Sequence, residues 1–167
     1  MDLGSASVVV LLAAGLALAA FAWRDWLGAV LALAGPGVTG GLTQYLLKPL
    51  VTPSSLAGDR AFPSGHAGGA ASVALVAVIL VYRGWGRVPA FILAPLAALP
   101  VLAVGHGLVR LGYHYPTDVA GGVLLAMLVV LGLAAVLPRP GGSAGRGHPM
   151  TEKGDSSVVP RRHDRSE

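Results

Sequence analysis

Long apolar stretches separated by short polar connections occupy most of the chain. They cover residues 5–23, 27–47, 64–82, 88–110 and 116–137. Each is close to the roughly 20 residues that a membrane-spanning helix requires. The pattern therefore predicts an all-α fold, a polytopic membrane bundle of about five transmembrane helices. The first stretch is predicted to be a helix of the bundle and not a signal peptide, because no basic residue precedes it.

Glycine, alanine and proline modify this pattern at three places. Gly35-Pro36-Gly37 predicts a kink in the second helix, which a membrane protein tolerates when neighbouring groups satisfy the freed backbone. Small residues at positions 68–72 and at Gly121-Gly122 would allow two helices to approach closely. We therefore expect a compact bundle.

The character of the chain changes after residue 137. Residues 138–167 are rich in proline, glycine, serine and charge, and contain few apolar side chains. Such a segment does not bury enough apolar surface to offset the entropy lost on ordering. We predict a transmembrane domain at residues 1–137 and a disordered basic tail at 138–167, in which His148 and His163 are solvated.

Composition supports a membrane environment. Hydrophobic residues make up 54% of the chain and charged residues 12%, against about 25% charged in ordinary soluble domains. The mean hydropathy is +0.68. The isoelectric point near 10.0 does not indicate nucleic-acid binding, because half of the basic residues lie in the tail and form no basic stripe with interleaved aromatics. The absence of cysteine excludes disulfides and thiolate metal sites.

The basic residues also predict the orientation. With five spans, nine of the 12 lysines and arginines fall on the side that carries the tail. The positive-inside rule places that side in the cytoplasm. We therefore expect an integral plasma-membrane protein whose loops at 48–63 and 110–116 face the extracytoplasmic side.

Pro-Ser-Gly-His at positions 63–66 is the first candidate for chemistry. Ser64 is a favourable N-cap for the third helix, and Gly65 leaves the first-turn amides open to approach. A helix N-terminus with free N–H groups suits a phosphate group. His66 lies in the same turn, so the motif predicts an anion site with an acid beside it. A simple capping turn is the alternative.

The second candidate is His114 with Asp118, beside Pro116 at the expected start of the fifth helix. A separation of four residues allows the carboxylate to reach the imidazole. An aspartate that accepts one ring N–H leaves the other nitrogen basic, which is the arrangement of an activated nucleophile. The alternative is an aspartate placed only to favour the helix dipole.

Three bases share the face of these two motifs: Lys48, Arg60 and Arg110. Phosphoryl transfer depends mainly on positioning and on stabilising charge on the equatorial oxygens, so these bases are candidate phosphate ligands. Each base alone could instead be a helix-end residue whose stem lies along apolar surface. His106, between two glycines, is expected to be a packed, hydrogen-bonded histidine.

Taken together, these residues resemble the signature blocks of the type-2 phosphatidic acid phosphatase superfamily, the lipid phosphate phosphatases. The resemblance spans about residues 45–125 and is complete at 63–66 and in the His-x-x-x-Asp of 114–118. It implies that His114 attacks phosphorus to form a phosphohistidine with the help of Asp118. It also implies that His66 protonates the leaving oxygen, and that Lys48, the arginines, Ser64 and Gly65 hold the phosphate without a metal.

Two positions depart from the family pattern. An arginine-proline pair usually follows the lysine, where this chain has Ser55-Leu56, and a further arginine usually stands where this chain has Leu108. Arg60 and Arg110 are the available substitutes. The family commonly has six spans, so a first span is expected to be missing here.

The expected activity is hydrolysis of a lipid-linked phosphate or diphosphate, of polyprenyl or phospholipid type, with no cofactor. The expected partners are that substrate and membrane lipids, not nucleic acid, and the sequence leaves the oligomeric state open. Two alternatives remain at this point. One is a relative that binds lipid phosphate without turnover. The other is a metal-binding or transport protein using the set His66, His106, His114 and Asp118.

Overall fold

A computed structural model describes residues 5–51 and 62–138 of the chain. Within these ranges the secondary structure is helical and contains no strand. The helices are α1 (Ala6–Ala22), α2 (Trp26–Val51), α3 (Gly65–Trp85), α4 (Arg87–Arg110) and α5 (Pro116–Val136). The predicted all-α bundle is confirmed. Arg60 and the predicted tail, apart from Pro138, lie outside the described residues.

Four of the helices, α2 to α5, are long and apolar enough to cross a membrane, and α1 is a shorter apolar helix of 17 residues. Because consecutive helices alternate in direction, the bundle has two ends. The end with Val51, Gly65, Arg110 and Pro116 is the motif end. The end with Ala22, Trp26, Trp85, Arg87 and Val136 is the tail end.

The second helix is longer than predicted. It continues as an α-helix through the buried Pro36, where a kink was predicted, to Gly41. A π-helical turn then occupies Leu42–Leu47, and the helix extends four residues further as Lys48–Val51. Buried threonine hydroxyls support this segment, since Thr39 Oγ1 donates to Gly35 O and Thr43 Oγ1 to Thr39 O, both at 2.8 Å.

The interior is built from small and branched aliphatic side chains. Its central cluster contains residues from α1, α2, α3 and α5: Ala17, Ala20, Leu31, Ala32, Val76, Leu80 and Val130. In a bilayer the lipid tails are as apolar as these side chains, so close van der Waals packing must drive association. The α4 helix packs mainly on α3 and leaves most of its surface exposed.

Close approach is most pronounced between α3 and α5. A Cβ added at Gly68 would lie 3.1 Å from the carbonyl oxygen of Gly122. A Cβ at Gly122 would overlap the carbonyl oxygen of Ser64. The small residues singled out at 68–72 and 121–122 therefore do bring two helices into backbone contact, as predicted.

Candidate active site

The first motif begins α3. Ser64 has extended backbone angles, is fully buried, and its Oγ accepts the N–H of Ala67 at 3.4 Å. This confirms Ser64 as the N-cap. The His66 side chain lies in the first turn and is exposed, so it remains accessible to a molecule bound at this helix end.

The second motif begins α5. Tyr115 is the N-cap, Pro116 is the first helical residue, and Asp118 closes the turn by accepting the N–H of Tyr115 at 2.9 Å through Oδ2. Asp118 is only 5% exposed. An acidic side chain at a helix N-terminus interacts favourably with the helix dipole, so Asp118 suits the start of α5.

His114 lies against this carboxylate. The side chain is buried, and Nδ1 is 3.4 Å from Asp118 Oδ2. Nδ1 makes no hydrogen bond within the described part of the chain. A distance of 3.4 Å exceeds the usual 2.7–3.2 Å of an N–H···O bond. Catalytic hydrogen bonds are often longer before substrate binds, and the pair has the proximity and burial that activation of an imidazole requires.

The connection that presents His114 folds back onto the end of α4. The carbonyl of Leu108 accepts two backbone N–H groups, from Tyr113 at 2.9 Å and from His114 at 3.3 Å. Gly112 has a positive φ of 71°, which permits the reversal. Leu108 occupies the position where an arginine was expected, and its backbone supports the histidine loop. Sequence reasoning missed this role, because carbonyl acceptors leave no mark in the side-chain pattern.

The two motifs meet through the backbone. The N–H of Ser64 donates to the carbonyl of Asp118 at 2.9 Å. Beside it, Gly121 lies against the ring of Phe62, and Gly122 lies against the carbonyl of Ser64. The start of α3 is therefore held directly against the first turn of α5, and the two predicted motifs form one site.

Lys48 joins this site from α2. It is partly buried, it follows the π-helical turn, and its N–H donates to Thr43 O five residues back. Both Lys48 and His114 interact electrostatically with the His66 imidazole. Single π-turns occur often at functional sites. Neither the π-turn nor the hydrogen bonding by Thr43 was predicted from the sequence. The only signal for them was the pair of threonines four residues apart, at 39 and 43.

The remaining candidate residues are less closely associated with the His114–Asp118 pair. Arg110, at the end of α4, is exposed, and its side chain makes no hydrogen bond or ion pair with the described residues. Arg60 lies outside the described ranges. Gly65 is within the site, with its backbone near the Thr43 methyl group.

His106 is exposed, so the expectation of a packed histidine is wrong. The reason is that α4 turns this face away from its partner α3.

The proposed metal set does not form. Among residues 5–51 and 62–138, no three histidine, aspartate or glutamate side chains converge on a point that could hold a metal ion. The set His66, His106, His114 and Asp118 is therefore not brought together as a metal centre. The geometry instead pairs one buried histidine with one carboxylate and places a second histidine and a lysine nearby.

The fold and site define a helical protein suited to a membrane, with a histidine-aspartate pair facing a helix N-terminus. Residues 5–141 match the family model described as the PAP2 superfamily, and the chain belongs to that superfamily. Its members are phosphatases that act on phosphate esters, which places the chain among phosphatase-type enzymes. No curated protein and no solved structure matches the chain.

Proposed function

We propose that this protein removes phosphate from a lipid-linked phosphate or diphosphate through a phosphohistidine on His114, without a cofactor. The observation that carries the proposal is the buried His114 imidazole 3.4 Å from Asp118, held against the N-terminus of α3 by the bond from Ser64 N–H to Asp118 O. A nucleophile, a charge to orient it and a phosphate-binding helix end are thus adjacent.

In the proposed first step, a lone pair on His114 Nε2 attacks phosphorus, and the bond from phosphorus to the ester oxygen breaks. Asp118 stabilises the positive charge that develops on the imidazole. His66 gives a proton to the departing oxygen, which leaves as an alcohol, or as a phosphate monoester when the substrate is a diphosphate. Lys48 and the first-turn amides of α3 balance the charge on the equatorial oxygens.

In the second step, the now neutral His66 removes a proton from water, and the water oxygen attacks phosphorus. The bond from phosphorus to Nε2 breaks and its electron pair returns to His114, which releases inorganic phosphate. His66 is again protonated, so the cycle is balanced. Arg110 and Arg60 are proposed to add phosphate contacts when substrate is bound.

The surroundings of His114 support a lipid substrate. Three large side chains of the same loop are at least half exposed: Leu111, Tyr113 and Tyr115. Tyrosines are enriched at the membrane–water boundary, where a ring contacts lipid while its hydroxyl contacts water. A substrate with a phosphate head and an apolar chain matches a polar site with such a rim. We place this rim on the extracytoplasmic side of the plasma membrane.

The test is phosphate release by the purified full chain, with EDTA present, from a panel of phosphatidic acid, phosphatidylglycerol phosphate and polyprenyl diphosphate. His114→Ala should abolish release from any member that the parent hydrolyses. The control is His106→Ala, which removes an exposed imidazole of α4 and should leave the rate unchanged. Labelled substrate should transfer phosphate to the parent in an acid-labile, alkali-stable bond.

Equal rates of phosphate release for His114→Ala and the parent would refute the assignment of His114 as the nucleophile. Tight binding of a lipid phosphate with no release by the parent would instead identify a non-catalytic relative. That outcome is worth testing because Ser55, Leu56 and Leu108 stand where the family usually has an arginine-proline pair and a further arginine.

A further inference from the structure

A groove lies at the other end of the bundle, between α3 and the start of α4. Its volume is about 650 Å³, within the roughly 300–1,000 Å³ typical of small-molecule sites. The lining surface is almost entirely apolar, with Tyr82 and Arg87 contributing mainly their carbon atoms. It consists of Val78, Ile79, Tyr82, Arg87, Val88, Ala90, Phe91, Ile92 and Ala94. None of these residues belongs to the candidate active site.

Most membrane-facing surface of this bundle is apolar, so apolar lining alone does not identify a ligand. Two features distinguish the groove. It forms a shallow, open depression between two helices, and Arg87 stands at the end that lies nearest the membrane boundary. Exposed Trp23, Trp26 and Trp85 share this end of the bundle, and tryptophan is enriched at the level of lipid headgroups.

Arg87 is free to bind a ligand. Its side chain is exposed and forms no ion pair or hydrogen bond with the residues that the structure describes. The neighbouring Arg83 differs, because Asp25 neutralises it through contacts of 2.7 and 2.8 Å. A lone guanidinium at the headgroup level above an apolar trough is complementary to a phosphate group joined to an acyl chain.

We propose that this groove binds one anionic phospholipid, with an acyl chain along α3 and α4 and its phosphate on Arg87. The proposal is independent of the phosphatase activity, because the groove and the active site are at opposite ends of the bundle.

A second copy of the chain fits the groove less well. A symmetric pair of chains places the same residues of both copies in one interface, which would bring two Arg87 guanidinium groups together in a low-dielectric medium. Helix association in membranes also favours small residues, whereas the outer wall carries Val88, Phe91 and Ile92, each at least 60% exposed.

The test is native mass spectrometry of the purified full chain after equilibration with equal amounts of phosphatidylglycerol and phosphatidylcholine. The parent should retain one phosphatidylglycerol in preference to phosphatidylcholine. Arg87→Gln should reduce that preference about fivefold, the effect of one basic residue at an anionic surface. Arg24→Gln is the matched control, because Arg24 is exposed at the same end but does not line the groove, and it should keep the preference.

A second pair of variants tests the apolar groove. Ala94→Phe fills the groove and should release the retained lipid, whereas Ala103→Phe, at an exposed position of α4 outside the groove, should not. The melting temperature of each variant in detergent should match that of the parent and so report an intact bundle. The proposal fails if Arg87→Gln keeps the preference, if Arg24→Gln loses it equally, or if Ala94→Phe retains lipid. A lipid-free dimer that Ala94→Phe dissociates would identify a second copy as the occupant.

Discussion

At the scale of single residues, Asp118 has two partners for one carboxylate oxygen. Oδ2 accepts the Tyr115 N–H at 2.9 Å and lies 3.4 Å from His114 Nδ1. The first contact fixes the start of α5, and the second sets the charge next to the imidazole. Structural and chemical roles therefore converge on the same atom, and a substitution that retains shape is needed to separate them.

Asp118→Asn is such a substitution. An asparagine whose oxygen takes the Oδ2 position can still accept the Tyr115 N–H and lie beside Nδ1. It carries no negative charge, so it cannot stabilise the imidazolium that forms when His114 attacks phosphorus. We expect kcat to fall by about 10²–10⁴-fold, with KM nearly unchanged. Thr117→Ala, at the exposed position next to Asp118, should stay within a few-fold of the parent. A kcat for Asp118→Asn close to that of Thr117→Ala would contradict this role.

Gly122→Ala tests the contact between the two motifs. The added methyl group would overlap the Ser64 carbonyl and press on the backbone of Gly68. We expect a loss of about 1–3 kcal/mol, as for other overpacking substitutions, together with reduced activity as Ser64 moves away from Asp118. Thermal melting in detergent measures the first effect and phosphate release the second.

The matched control for this substitution lies on the same helix. At Gly132 an added Cβ meets no atom within 4 Å. Gly132→Ala should therefore melt at or above the temperature of the parent, because alanine favours a helix. Equal destabilisation by both substitutions would show that the effect comes from the helix and not from the contact with Ser64.

At the scale of elements, α3 links the two ends of the bundle. Its N-terminus contributes to the candidate active site, and near its C-terminus Arg83 binds Asp25 through two hydrogen bonds. The same guanidinium donates to Pro138 O at 3.2 Å, and the rings of Trp23 and Trp85 lie 5.0 Å apart. The turn between α1 and α2 and the end of α5 are thus attached to α3.

This attachment predicts a pH dependence. The hydrogen bonds from Arg83 hold the pKa of the Asp25 carboxyl below its usual value, against the opposing effect of burial. A lowered folded-state pKa means that the stabilisation is complete above the unfolded value of about 3.9 and is lost as the pH falls through the folded value. Asp25→Asn should therefore melt below the parent at pH 7, and the difference should shrink below about pH 4. A difference that stays constant from pH 7 to pH 3 would rule out this linkage.

At the scale of the whole molecule, the orientation of the bundle determines which side of the membrane supplies the substrate proposed to react at His114. The uneven distribution of lysines and arginines predicts that the tail end lies in the cytoplasm and the motif end lies outside. Among described residues, Arg24, Arg83 and Arg87 lie at the tail end, and Lys48 and Arg110 lie at the motif end. Arg83 is paired with Asp25, so most of the predicted bias comes from the tail.

The lack of native cysteine makes sidedness directly measurable. Thr117→Cys introduces a thiol at the exposed start of α5, and Gly84→Cys introduces one at the tail end, where an added Cβ meets open space. A membrane-impermeant maleimide should label the first in intact cells and the second only after permeabilisation. The opposite pattern would place the active site in the cytoplasm.

Local signals in the sequence predicted much of the structure of this protein. The apolar stretches predicted the helices within a few residues at most ends, because a span must match the thickness of the bilayer. Ser64 and Pro116 marked the starts of α3 and α5, because capping and proline geometry act within one turn. The glycines at 68 and 122 marked the close contact, because only a residue without Cβ fits there.

Contacts between distant segments decided the rest. The bond from Ser64 N–H to Asp118 O, the support of His114 by the Leu108 carbonyl and the exposure of His106 all depend on how helices pack. The π-turn at Leu42–Leu47, which follows Pro36 within one continuous helix, was likewise not predicted. The sequence by itself indicated the residues that are proposed to carry the chemistry. Only the tertiary structure decided that they meet, because backbone hydrogen bonds between helices leave no periodic pattern along the chain.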